Sequence, residues 1–186
     1  MEYKIALFLH ITGALLLVAA MSLEWLGVFN LRKSDSAENI RESIKLYSTI
    51  SKAGGVSMIL ILFPGIYMMS AWRDNASWII IGFVGLILLG AIGGIITGRK
   101  MRGLKKMLSG NKVESIIIKS GLPINSFLFS IKIRTMILFG VVFMMSVKPD
   151  MIGSLITLAV AILLGIIPLR SKSGEKALNK TSTKTE

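Results

Sequence analysis

The sequence predicts an all-α membrane protein, a polytopic bundle of five transmembrane helices. Two observations carry that expectation. Hydrophobic residues make up 53% of the 186 positions and the mean hydropathy is +0.69. The charged residues are also gathered in blocks, leaving apolar runs of about 20 residues that match a hydrocarbon core roughly 30 Å thick. Only helices and closed barrels satisfy the backbone in lipid, and these runs lack the alternation of barrel strands.

The runs cover about 5–23, 53–72, 78–98, 127–147 and 151–169. Together they define one transmembrane domain over 1–170, followed by a polar tail, 171–186, with the composition of a disordered segment. Orientation follows from lysine and arginine. Arg32, Lys33, Arg41, Lys45 and Lys52 fall in the first connection, and Arg99 to Arg134 supplies nine more basic residues. Arg170, Lys172, Lys176, Lys180 and Lys184 lie beyond the last run, whereas only Lys4, Arg73 and Lys148 fall on the opposite side. The positive-inside rule therefore predicts an amino terminus outside and a tail in the cytoplasm, in a cell membrane. Trp72 and Trp78 flank the short outer turn, and Trp25 marks the inner end of the first span, as interfacial aromatics do. A signal-peptidase site at Val18-Ala19-Ala20 is the competing reading of the start. It would invert the whole charge pattern, and the leader lacks a strongly positive beginning.

Composition also excludes several chemistries. There is no cysteine, which removes disulfides, thiolate zinc sites and cysteine nucleophiles. A net charge of +12 distributed by membrane side is explained by topology and gives no reason to expect nucleic acid. The basic run RKMRGLKKML, 99–108, interleaves Met101, Leu104 and Leu108 with cations, which suits a helix extension on an anionic lipid surface. Gly93 to Gly98 followed by Arg99-Lys100 lacks the Lys-Ser/Thr and the preceding strand of a phosphate loop. No triad, carboxylate pair or zinc motif is present, so catalysis is not expected.

Four features remain as candidates. Gly90, Gly94 and Gly98 fall four apart in the third span and predict one small-residue face, for packing inside the bundle or against a second copy or a membrane partner. Pro64-Gly65 predicts a kink in the second span. Glu24 and Arg134 lie at similar depth near the cytoplasmic face, and form an intramembrane ion pair or sit separately at the headgroups. His10, the only histidine, shares its depth with Met68, Met69, Met144 and Met145. Imidazole with thioethers is a donor set that suits Cu(I), whereas methionines in apolar spans are ordinarily gap fillers. His10 and Glu24 stand about 21 Å apart on one helix and cannot share a site.

The stretch LFLHITGALLLVAAMSLEWLGVFNLRK resembles the first helix of the HemJ-type protoporphyrinogen oxidases and of the copper-resistance D-type proteins. IRTMILFGVVFMMSVKPD and MIGSLITLAVAILLG are similar to a family of predicted bacterial integral membrane proteins in the same broad group. The resemblance implies a small helical bundle and, at His10, a haem or porphyrin ligand, or copper. Those oxidases carry a lysine early in the third helix, where this chain reads Trp78-Ile79-Ile80-Ile81-Gly82, and the copper-handling relatives carry further histidines. The expected function is a non-enzymatic accessory or small-permease component. A haem-, porphyrin- or copper-handling protein using His10 is the alternative, and transport coupled to Glu24 and Arg134 is a third.

Overall fold

A computed structural model describes residues 1–33, 37–70, 77–99, 101–103 and 124–167. All regular structure among them is helical. The elements are α1 (Glu2–Lys33), α2 (Ala37–Met69), α3 (Ser77–Ala91), which runs on through a π-helical turn at Ile92–Thr97, α4 (Ile124–Val147) and α5 (Met151–Ile166). Four stretches are long and apolar enough to cross a membrane: Glu2–Asn30, Glu42–Met69, Ser77–Gly103 and Ser126–Val147.

Two expected boundaries need correction. The basic stretch after the first span is not a long loop, because α1 continues to Lys33 and α2 begins at Ala37. Charged side chains at Lys45 and Lys52 do not end a helix; they only end the part that lipid can solvate, so hydropathy placed the start of α2 too late. The fifth apolar helix is 16 residues long among the described residues, about 24 Å, and shorter than the run that predicted it. The end of that run, the tail, Trp72 and Arg73 of the outer turn, and Leu104 to Leu108 of the basic run lie outside the described residues.

Successive helices run antiparallel. The α1–α2 pair packs most extensively, α4 packs on α5 and α3, and α2 and α3 touch least of the principal pairs. A core of Leu17, Met21, Ile61, Leu86, Leu89, Ile137, Val141 and Met144 joins the four long helices at mid-height, and a second core of Val28, Ile44, Tyr47, Phe127 and Ile131 closes the Glu24 end. The surface is inverted relative to a water-soluble protein. Phe8, Phe63, Phe139 and Ile152 point outward, Phe63 at 70% exposure, while Glu24, Thr97, Ser130 and Arg134 are buried. That distribution suits a lipid solvent, in which polar groups are satisfied inside the bundle.

Close helix approach depends on glycines other than the predicted stripe. A Cβ on Gly13 would lie 2.9 Å from the Leu60 carbonyl carbon, and one on Gly165 would lie 2.8 Å from Ile133 Cα. Gly90 abuts the Met58 methyl, but space beside Gly94 is open and the nearest atom to a Gly98 Cβ is the Gly93 carbonyl of its own helix. Gly94 is open because it and Gly90 border a cavity and not a neighbouring backbone. Among the described residues of the one chain, Gly90, Gly94 and Gly98 are therefore not packed as one stripe against another helix.

The α4–α5 corner is tight. Lys148 takes a left-handed φ of 52°, and its N–H donates to the Met144 carbonyl. Asp150 then caps α5, its carboxylate accepting from the Gly153 N–H at 2.9 Å. Asp150→Ala is expected to cost about 1 kcal/mol of stability, read as a lower thermal midpoint in detergent. An unchanged midpoint would show that the corner is held by packing alone.

Candidate functional site

Two cavities lie on the seam between α2 and α3, at opposite ends of the bundle. The first, about 340 Å³, is lined by Tyr3, His10, Met68, Met69, Trp78, Phe83 and Met145 among others. The second, about 160 Å³, is lined by Glu24, Tyr47, Ser51, the glycine pairs Gly54-Gly55 and Gly93-Gly94, Gly90 and Arg134, with Leu17, Met58 and Leu89 at its apolar end. Between them stand Met58, Ile61, Leu86 and Leu89, which belong to or pack on the mid-height core. Each cavity adjoins an irregularity in a helix, Pro64 in α2 or the π turn after α3.

His10 is explained first by that proline. Pro64 has no N–H, so the Leu60 carbonyl loses its usual donor and the local ladder opens. One residue on, the Ile61 carbonyl accepts a hydrogen bond from His10 Nδ1 at 2.8 Å. A carbonyl can only accept, so Nδ1 carries the proton, and in the neutral ring Nε2 keeps a lone pair. Gly65 clears the room, because a Cβ there would lie 3.3 Å from the ring. His10→Ala is expected to destabilise the protein by about 1 kcal/mol, through the lost bond to the Ile61 carbonyl. Thermal unfolding in detergent tests this, and an unaltered midpoint would remove the structural role.

Of the four methionines sharing the His10 depth, Met68, Met69 and Met145 reach the larger cavity. Met144 does not. It is fully buried in the mid-height core, because adjacent residues on α4 point about 100° apart and Met145 takes the cavity side. Among the described residues no group of three or more His, Asp or Glu could hold a metal ion.

At the other end Glu24 and Arg134 meet. Arg134 Nη1 donates to Glu24 Oε2 at 2.6 Å and Nη2 to Oε1 at 3.4 Å, with the residues 7% and 3% exposed. Their pairing draws α1 to α4. Tyr47 of α2 lines the same cavity beside Glu24 and Arg134, and the Thr97 and Ser130 hydroxyls are 2.8 Å apart. Four helices thus contribute to one buried polar cluster. Gly93, on the π turn, admits the guanidinium: a Cβ there would lie 2.9 Å from Cζ and 3.0 Å from Nε. Arg134 Nε has no hydrogen-bond partner.

Tyr47, Gly93, Thr97 and Ser130 were not singled out by sequence. The available signal was depth, since Thr97 closes the third apolar run and Ser130 opens the fourth, at the level of Glu24. The arrangement provides no nucleophile–base pair. It provides a charge-balanced cluster beside one cavity and an imidazole with thioethers beside the other. Neither the family models, the curated proteins nor the solved structures include a match to this chain.

Proposed function

We propose that this is a five-pass protein of the cell membrane, amino terminus outside and tail inside, acting without catalysis as a small permease or an accessory component of one. The observation that carries the reading is the pair of cavities on one helix seam, facing opposite ends and parted by a short apolar layer. A carrier needs a site approachable from each side and a barrier thin enough to rearrange. Helix irregularities beside both cavities supply places where the backbone can flex. Basic residues at the tail side and anionic lipid headgroups fit the orientation.

The test is solute flux in proteoliposomes, with Gly90→Leu as the comparison. Leucine there would drive its side chain into the Met58 methyl and fill the seam, so wild-type flux should fall at least tenfold. Equal flux in the two proteins, or none above empty vesicles in either, would end the permease reading. Reporter fusions after residue 186 test the topology, and a tail outside would overturn it.

A second reading is favoured by one observation, the lone pair left on His10 Nε2 in a cavity also lined by Met68, Met69 and Met145. That donor set fits Cu(I), which takes imidazole and thioether ligands. For haem it offers one axial nitrogen. The resemblance to the HemJ-type and copper-resistance D-type proteins points to the same cavity. Bound copper or a Soret band in purified wild-type protein, absent from His10→Ala, would establish it. Colourless, metal-free protein from replete cells would exclude it.

A further inference from the structure

We propose that the cavity beside Arg134 binds one small monovalent oxyanion, of the carboxylate or nitrate type, together with one proton taken up by Glu24. The proposal deepens the permease reading, and only its transport step rests on that reading.

The first ground is a surplus of donors. Arg134 is 7% exposed and lines the cavity, yet its Nε–H has no acceptor, while Tyr47 and Ser51 add hydroxyls to the same wall. Glu24 is the single carboxylate lining the cavity, and it already takes Nη1 and Nη2. A buried donor left unmatched is costly, so the site is built to receive an acceptor. A planar oxyanion matches the fork of a guanidinium, as Glu24 itself shows.

The second ground is room. Gly54, Gly55, Gly90, Gly93 and Gly94 line a cavity of about 160 Å³. An oxyanion of four heavy atoms displaces about two waters, roughly 60 Å³ at 30 Å³ each. It fits the cavity that Arg134 lines; Nε is packed on Gly93, so the guanidinium turns toward the cavity as Glu24 releases it.

The third ground is charge. Among the described residues, the titratable groups facing Glu24 are Arg134 from α4 and Tyr47 from α2, and α3 brings the Thr97 hydroxyl to the cluster. With Glu24 ionised, the pair is neutral. Adding an anion would leave one uncompensated buried charge, which low-dielectric surroundings oppose. A proton on Glu24 restores neutrality and frees Nη1 and Nη2 for the incoming oxygens. Anion and proton therefore enter as one neutral unit, with Glu24 and the ligand exchanging places on Arg134.

The experiment is isothermal titration of detergent-purified full-length protein with sodium nitrate, which stays ionised throughout, in buffers of differing ionisation enthalpy. Wild type should take up about one proton per nitrate, and affinity should fall up to about tenfold per pH unit as pH rises. Glu24→Gln should bind nitrate with no proton uptake and no pH dependence. Glu24→Gln/Arg134→Gln, which buries no unpaired charge, should not bind. Absence of nitrate and acetate binding by wild type, binding without proton uptake, or binding retained by the double variant would each overturn the proposal. Proteoliposome flux is then read separately. Intact coupled binding with no nitrate entry would overturn the permease reading and leave the site standing.

Discussion

Arg134→Ala is expected to destabilise the protein by about 3–5 kcal/mol, the cost of leaving one member of a buried ion pair without the other. The remaining Glu24 is 3% exposed, and its two arginine hydrogen bonds are lost together. The decisive comparison is with Glu24→Gln/Arg134→Gln. Removing both charges also removes both desolvation costs, so the double variant should lie within about 1–2 kcal/mol of wild type. Reversible unfolding in mixed micelles measures all three. If single and double variants lose the same amount, the cluster is held by packing at these positions and not by charge balance.

Gly13→Leu should be nearly as damaging, by about 3 kcal/mol, through a different cause. At Gly13 the α1 backbone meets α2 with no room for a Cβ, which would lie 2.8 Å from Leu60 Cβ and 2.9 Å from the Leu60 carbonyl carbon. The obstruction includes main chain, which a rotamer change cannot clear. The helices must part, and because His10 lies one turn away, its bond to the Ile61 carbonyl would lengthen too. Gly55→Leu is the control, an exposed position with nothing within 4 Å of a Cβ there. Equal losses in the two variants would show that glycine at Gly13 matters for reasons other than helix contact.

Much of the fold is visible in hydropathy because lipid imposes the rule one residue at a time. A span either excludes charge or it does not. The same rule is silent beyond the lipid, which is why the first sixteen residues of α2 read as a connection. The Glu24–Arg134 meeting was suggested by depth, since α1 and α4 run antiparallel and each brings its charge to one level. Tyr47 and Thr97 were not legible by that route. A tyrosine in a charged helical extension and a threonine at the end of an apolar run have many uses, and only the lateral order of helices sets them on one arginine. The π turn was hidden for a related reason. The glycines and β-branched residues of Ile92 to Thr97 are common in apolar spans, and only the structure shows the guanidinium packed on Gly93 within the turn.

The uneven packing of the helices has a mechanical meaning. α1 and α2 form one stiff plank, α3, α4 and α5 form another, and adhesion between the planks is concentrated where α1 meets α4. The Glu24–Arg134 bond lies on that line and borders the cavity that α2 and α3 also line. A bonded edge opposite a loose one makes a hinge, and the work of opening is least at the margin farthest from the pin. In a bilayer that margin would meet the fatty-acid chains, and an opening there would be a sideways gape, resisted by lateral pressure and eased wherever the membrane thins.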